Sequence, residues 1–295
     1  MGEEATTNQA PATDSARRMF EMEKTFHERL LAESDPARRR KLYSDFYGRL
    51  ADFIGEHEPG KKNFGSFSPE LMQLMVPFMR GKTVLDFGCG YGFATFDMAI
   101  YAGKVIAADE ALPMIESMRE RVREKGLSNI EPVYLGDGEA PLHKYLGAID
   151  VVYSNDVIEH LHPDDAREHL ALVHRLLRPG GLYICITPNR VTGPHDISAR
   201  FLPYHAKAQG AHIREYSHRE LCDEFRAERF VKLRTPITAV GYHRFRSDFA
   251  YRSLLVPPWH KFILESVWFE RARTQRTKIL NLFCINKVVL FAWKA

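Results

Sequence analysis

Short apolar segments and amphipathic segments alternate along most of this chain. β-branched and apolar side chains cluster, as in buried strands, at residues 83–87, 104–109, 130–135, 148–154, 182–187, 230–237 and 284–293. The segments between the early clusters, such as 93–100 and 113–125, place apolar side chains at helical spacing. This alternation predicts an α/β fold with a seven-stranded, mostly parallel sheet and helices on both faces.

The chain divides into three regions. Residues 1–13 are small and polar, and we expect them to form a disordered tail. Residues 14–80 predict an N-terminal helical cap, because their apolar side chains recur at helical spacing. Residues 81–295 hold the predicted sheet, and residues 241–282 within them form an insertion between the last two strands. This insertion is rich in aromatic and arginine side chains, and we expect it to form a lid together with the cap.

The composition is that of an ordinary globular domain. Of the 295 residues, 45% are hydrophobic and 27% are charged. No apolar run reaches the roughly 18 residues that a membrane span needs, and the first residues lack the apolar stretch of a signal peptide. The four cysteines are scattered and form no C-x-x-C pair. We therefore expect a cytoplasmic protein with free thiols and no transmembrane segment.

A glycine-rich turn follows the first predicted strand. Gly88, Gly90 and Gly92 alternate after Asp86, which gives the pattern D-x-G-x-G-x-G. Glycine lets a backbone turn tightly and approach a ligand closely. A dinucleotide-binding G-x-G-x-x-G would need its third glycine at position 93, which is Phe93. A carboxylate at Asp86 would also repel a pyrophosphate, so the turn favours a ligand that carries an amine.

The turn and the acids that follow it resemble the motifs of class I S-adenosylmethionine (SAM)-dependent methyltransferases. The resemblance implies a Rossmann-like fold that binds S-adenosyl-L-methionine. It implies that Asp109, 19 positions after Gly90, accepts both ribose hydroxyls, with Glu110 as a competitor for that role. It also implies that Asp137 contacts the adenine amino group. The cofactor-binding residues are then Asp86, Gly88, Gly90, Gly92, Asp109, Glu110, Asp137, Gly138 and Asn155.

A second group of polar side chains follows the fourth predicted strand. Asp156, Glu159 and His160 have the i, i+3, i+4 spacing that shares one helical face, and such ligands suit Mg²⁺ or Mn²⁺. The pattern D-x-x-E-H resembles the E-x-x-E-H of ubiquinone-pathway O-methyltransferases and of small-RNA terminal 2′-O-methyltransferases. It departs from them in having Asp156 for the first glutamate. The resemblance implies His212 as a further metal ligand. The loop after the fifth strand carries another histidine, His195, which is a reserve candidate for the same position.

Two alternatives to a metal site remain open. His160 is also suited to act as a metal-free general base. Glu159 and His160 are also compatible with a structural role in capping and orienting the loop. Asp156, Glu159 and His160 are the predicted catalytic residues under either chemical interpretation.

These motifs predict a SAM-dependent methyltransferase that acts on a small molecule, with a hydroxyl oxygen as acceptor. The alternatives are N- or C-methylation, RNA 2′-O-methylation, and a non-catalytic or cyclase-like protein on the same fold. Residues 226–287 carry thirteen Lys or Arg against four Asp or Glu, which is either a solvated basic face or an attraction for an anionic substrate. No RNA-binding motif is evident, so we do not expect a nucleic-acid partner. No oligomeric state follows from the sequence.

Overall fold

The computed structural model describes residues 13–57, 69–136, 138–203, 206–236, 255–263, 265 and 287–295. The predicted tail lies outside these ranges except for Thr13. The predicted insertion lies outside them except for residues 255–263 and 265.

Strands and helices alternate through the centre of the chain. The strands are β1 Thr83–Phe87, β2 Lys104–Asp109, β3 Ile130–Tyr134, β4 Ile149–Asn155, β5 Leu177–Pro188, β6 Phe230–Pro236, β7 Leu255–Val256 and β8 Lys287–Lys294. The helices are α1 Asp14–Ala32, α2 Pro36–His57, α3 Pro69–Met79, α4 Phe93–Ala99, α5 Leu112–Glu124, α6 Pro163–Leu176, α7 His218–Ala227 and α8 Trp259–Ile263.

Within the described residues these strands form one sheet in the order β3-β2-β1-β4-β5-β8-β6-β7. The first five strands pair in parallel, whereas β8 runs antiparallel between β5 and β6. The predicted α/β class and the mostly parallel sheet are confirmed. The sheet has one strand more than the seven predicted, because β7 pairs with β6 from within the predicted insertion. Two residues are too few to give a strand pattern in the sequence.

The topology reverses at β1. Val84 of β1 pairs with Val105 of β2 on one side and with Val151 of β4 on the other. The connections that leave β1 and β4 therefore run in opposite directions, and the carboxyl ends of these two strands border a crevice.

Helices cover both faces of the sheet, as predicted. Successive residues of a strand point to opposite faces, so Val84 and Leu85 belong to two separate apolar clusters. One cluster packs side chains of α3, α4 and α5 on the sheet, and the other packs side chains of α6 and α7. Met75 and Met79 of α3 are fully buried in the first cluster. Helix α3, which falls inside the predicted cap, therefore packs on the sheet.

The helices α1 and α2 pack on the loop that follows β5. The rings of Phe26 and Phe46 stack with centroids 3.9 Å apart, and both lie in one cluster with Ala211 of the loop. Arg39 of α2 is 1% exposed, and its Nε donates to both carboxylate oxygens of Asp165 at 3.0 and 2.9 Å. This partly buried ion pair joins the cap to α6.

Among the described residues, no helix combines the length and apolar character needed to cross a membrane. The three cysteines in the described ranges, Cys89, Cys185 and Cys222, are buried and free of disulfides.

Candidate functional site

The glycine-rich turn is open on one side at Gly90. Gly88, Gly90 and Gly92 all adopt positive φ, at 74°, 52° and 79°. A Cβ on Gly88 would collide with Val157, and one on Gly92 would approach Met118, so these two glycines allow close packing within the protein. A Cβ on Gly90 would meet only Met114 Sδ, at 3.9 Å. The backbone at Gly90 is thus exposed to a ligand.

Asp109 stands beside this opening. Its Oδ2 accepts a hydrogen bond from Gly90 N at 2.8 Å, and its Oδ1 accepts one from Ala111 N at 2.9 Å. The carboxylate is half-buried, and this burial raises its pKa. Asp109 therefore fixes the turn and presents a carboxylate at the end of β2, where hydroxyl donors of a nucleoside could reach it.

Asp86 lies deeper than its motif suggests. Its side chain is 2% exposed, its carboxylate accepts a hydrogen bond from Thr95 Oγ1 of α4, and burial raises its pKa to about 7. This contact joins the end of β1 to the helix that follows the turn. A ligand contact of Asp86 remains a prediction.

The remaining predicted cofactor residues have different surroundings. Glu110 is exposed next to Asp109, and Gly138 adopts a φ of 101°. Asn155 ends β4, and its Nδ2 donates to Asp156 Oδ2 at 3.1 Å. Asp137 lies outside the described residues. The open backbone at Gly90 beside Asp109 fits a nucleoside ligand, because the Asp109 carboxylate can accept hydrogen bonds from hydroxyl groups.

A cluster of three ligand-type side chains lies beyond the end of β4. One ligand atom each of Glu159, His160 and His212 lies within 4.8 Å of the other two. Glu159 is fully buried, and its Oε2 accepts from Thr187 Oγ1 at 2.9 Å. Its Oε1 is buried without a hydrogen-bond partner among the described residues. An unpaired buried carboxylate oxygen is costly, so this atom fits a cation or a hydroxyl donor.

The two histidines of the cluster have opposite electrostatic environments. Burial and the neighbouring His212 lower the pKa of His160 to about 4, so its ring is neutral at pH 7. Its Nδ1 donates to Ala211 O at 3.0 Å, which leaves a lone pair on Nε2. Burial also acts to lower the pKa of His212, but the hydrogen bond to Glu215 and the charge of Glu159 outweigh it and raise this pKa to about 9. Burial raises the pKa of Glu159, helped by the charge of Asp156.

Glu215 orients His212. Its Oε1 accepts from His212 Nδ1 at 2.7 Å and from His195 N at 2.7 Å. A metal-binding histidine commonly donates its second ring N–H to a carboxylate in this way. Glu215 was not predicted as a site residue from the sequence, although it lies three residues after His212 in the same segment.

The structure does not bring Asp156 into the cluster. The i, i+3, i+4 spacing brings three side chains together only in one continuous helix, but Asp156 adopts a left-handed φ of 57°. Only a short 3-10 turn, Ile158–His160, follows it. The Asp156 carboxylate instead accepts both of its short hydrogen bonds from Lys287 Nζ, at 2.5 and 2.6 Å. Lys287 was missed because it is distant in sequence and lies at the start of β8.

His195 does not join the cluster either. Its Nε2 lies 2.8 Å from Thr192 Oγ1 and 3.0 Å from Asn189 O. The backbone N–H of His195 donates to Glu215 Oε1. Within the described structure His195 therefore supports the loop and is not among the three clustered ligands.

The N-terminal cap reaches this cluster. The ring of Tyr47 in α2 lies edge-to-face on His160, with centroids 6.2 Å apart. Phe46 packs edge-to-face on Tyr47, with centroids 5.2 Å apart. Side chains of the cap thus border His160 directly.

Comparison with known proteins agrees with this geometry. Residues 84–181 match a methyltransferase domain. A Mycolicibacterium smegmatis protein named "probable S-adenosylmethionine-dependent methyltransferase" is 30% identical over 133 residues, 44% of this chain and 48% of that protein. A ubiquinone biosynthesis O-methyltransferase of Ruegeria pomeroyi is 36% identical over 110 residues, 37% of this chain and 42% of that enzyme. The resemblance to class I SAM-dependent methyltransferases is confirmed.

A solved structure shares the fold over most of its length. The 1,6-didemethyltoxoflavin-N1-methyltransferase of Burkholderia thailandensis superposes with a TM-score of 0.54 at 19% identity, covering 89% of this chain and 92% of that one. That structure contains 1,6-didemethyltoxoflavin and S-adenosylhomocysteine. At this identity the likeness establishes the Rossmann-like fold alone. The chain spans less than half the length of the two curated relatives, so their reactions do not transfer with the match.

Proposed function

We propose that this chain is a SAM-dependent methyltransferase that methylates a hydroxyl oxygen of a small molecule. The observation that carries the proposal is the cluster of Glu159, His160 and His212 at the edge of the sheet where the Gly90 turn opens. A donor site and a group that can make a hydroxyl nucleophilic would then border one crevice. The ubiquinone biosynthesis O-methyltransferase among the relatives supports oxygen as the acceptor.

The protein would act mainly by holding the reactants. S-adenosyl-L-methionine, when bound, supplies an electrophilic methyl group. The open backbone at Gly90 and the Asp109 carboxylate would hold and orient its nucleoside. The cap side chain Tyr47 would exclude water beside His160. Fixing both reactants in one geometry is worth several kcal/mol of activation free energy, on the order of 7–11 in the best cases.

The cluster offers two ways to activate the acceptor. Glu159, His160 and His212 would hold a Mg²⁺ or Mn²⁺ ion once His212 releases the proton that its raised pKa retains at pH 7, and the ion would lower the pKa of a hydroxyl bound to it. The buried Glu159 Oε1 without a partner among the described residues favours this use. The neutral ring of His160 is instead a base that can take the hydroxyl proton on Nε2 without a metal.

Transfer of labelled methyl groups tests the proposal. The full chain is incubated with methyl-labelled SAM and fractionated small-molecule extracts, and label is followed into the products. We expect label in a small-molecule fraction, linked through oxygen. Label only in added single-stranded RNA, or no transfer to any acceptor, would contradict the proposed activity.

Chelation then separates the two mechanisms. With a metal, exhaustive chelation abolishes transfer and Mn²⁺ restores it, while SAM affinity is unchanged. With His160 as the base, transfer survives chelation but is lost in His160→Ala. Full activity both after chelation and in His160→Ala would mean that the cluster has a structural role only.

A further inference from the structure

Lys287 pairs with Asp156. The sequence predicts Asp156 as a metal ligand, but in the structure it lies outside the cluster of Glu159, His160 and His212. Lys287 Nζ lies 2.5 Å from Asp156 Oδ1 and 2.6 Å from Asp156 Oδ2. Both side chains are partly exposed, at 37% and 26%, so neither is locked in the interior. An ammonium group and a metal ion bind the same carboxylate oxygens, so the two would compete for Asp156.

Asp156 lies close to the cluster in spite of this pairing. Its backbone pairs with Ile186, and the next residue along β5, Thr187, donates from Oγ1 to Glu159 Oε2 at 2.9 Å. Its backbone is fixed by the hydrogen bond from Asp156 N to Ile186 O, 2.9 Å long. A change of side-chain rotamer is therefore the simplest movement that would bring its carboxylate nearer to Glu159.

The cluster itself is short of ligands. It supplies three protein ligands, whereas Mg²⁺ and Mn²⁺ favour octahedral, oxygen-rich coordination. Only one of the three, Glu159, offers oxygen. A second carboxylate would improve both the charge and the chemistry of the site for such an ion.

We propose that Lys287 sets the divalent-cation affinity of the Glu159, His160 and His212 cluster by holding Asp156 as a reserve ligand. This inference rests on the proposed use of the cluster as a metal site. A cation that recruits Asp156 must displace the ammonium of Lys287, so the ion pair weakens metal binding. Where Lys287 is absent, Asp156 is available to the incoming ion.

Calorimetric titration of the full chain with Mn²⁺ alone tests this. We expect Lys287→Met to bind Mn²⁺ about tenfold more tightly than the unaltered chain, the scale on which groups around a metal site change its affinity. Lys287→Arg keeps the charge and should keep the original affinity. Lys294→Met is the matched control, because Lys294 lies at the other end of β8 and donates to Leu177 O at 2.7 Å.

A double variant assigns the effect to Asp156. In Asp156→Asn combined with Lys287→Met the gain should vanish, and asparagine tolerates the left-handed backbone at this position. Thermal unfolding confirms that each variant is folded. Equal Mn²⁺ affinity in the original chain and Lys287→Met, a gain that persists in the double variant, or no Mn²⁺ binding by either protein would each overturn the inference. Labelled methyl transfer by the original chain is measured alongside, so that failure here is distinguished from failure of the proposed activity.

Discussion

At the scale of single residues, Gly90 and Gly81 share a backbone conformation but not an environment. Gly90 has a φ of 52° and Gly81 a φ of 68°. A Cβ on Gly81 would meet no atom of the described residues within 4 Å, and Gly81 lies in the turn before β1. An alanine at either position strains the backbone, but only an alanine at Gly90 also fills the predicted ligand site. Comparing the two variants therefore separates these two effects.

We expect Gly90→Ala to weaken SAM binding by roughly tenfold or more, which is about 1.4 kcal/mol. The added methyl group would occupy the side of the turn that faces the ligand. Both Gly90→Ala and Gly81→Ala should lose about 1 kcal/mol of stability through their positive φ. Calorimetry with SAM measures the affinity and urea unfolding measures the stability. Equal SAM affinity in both variants would remove Gly90 from the cofactor site.

Some residues of the candidate site could be predicted from the sequence, because their position depends on local spacing. The alternating glycines and the acid at the end of β2 follow from strand-turn-helix geometry, and Asp109 does hold the turn at Gly90. Asp156 was misplaced because the spacing rule holds only inside a helix, and a left-handed residue breaks the helix there. Lys287 could not be found, since its pairing with Asp156 depends on a contact 131 positions away.

At the scale of elements, the cap is attached through a buried acid. Glu23 of α1 is 4% exposed, and its Oε2 accepts from Ala211 N at 2.8 Å. Burial raises its pKa to about 7, with a further contribution from Asp196. Glu23 thus links the helix to the residue that precedes His212.

We expect Glu23→Gln to stabilise the protein at pH 8 and to leave it unchanged near pH 4. An acid whose pKa is raised on folding binds its proton more tightly in the folded state. Its favourable contribution is present below the unfolded pKa of about 4.5 and is lost as the pH rises through about 7. The difference at pH 8 should approach about 3 kcal/mol. Urea unfolding at both pH values measures it, with the exposed Glu21→Gln as control. A difference that does not vary with pH would contradict the assignment.

At the scale of the whole molecule, Glu265 joins three distant parts of the chain. Its Oε1 accepts from Asn189 Nδ2 at 3.0 Å, from His218 N at 2.9 Å and from His218 Nδ1 at 2.7 Å. Asn189 follows β5 and His218 begins α7. Glu265 thus attaches its own part of the predicted insertion to the loop after β5 and to the start of α7.

We expect Glu265→Ala to lower the free energy of unfolding by about 3 kcal/mol, because it leaves buried donors without an acceptor. Differential scanning calorimetry measures the fall in Tm. The matched control is Asp223→Ala, which removes an exposed carboxylate of α7 that pairs with Arg226. A Tm change no larger than that of the control would show that Glu265 is not an anchor.

Most of the strands were predictable from the sequence. The apolar segments located β1 to β6 and β8, because a strand packed in the sheet carries β-branched and apolar side chains. The attachment of residues 255–265 was not predictable, since it depends on Glu265 meeting His218 and Asn189 across the fold. Likewise β7 is too short to carry a pattern of its own.

The position of β8 has a consequence for the order in which the chain can fold during synthesis. β8 lies between β5 and β6 although it follows both in sequence. A nascent chain that has not yet reached residue 287 leaves one edge of β5 open, and an open apolar edge is where chains aggregate. Val288, Leu290 and Ala292 of β8 become fully buried when the strand enters. The same event delivers Lys287 to Asp156, so the ribosome must release this segment before that carboxylate can gain its ammonium partner.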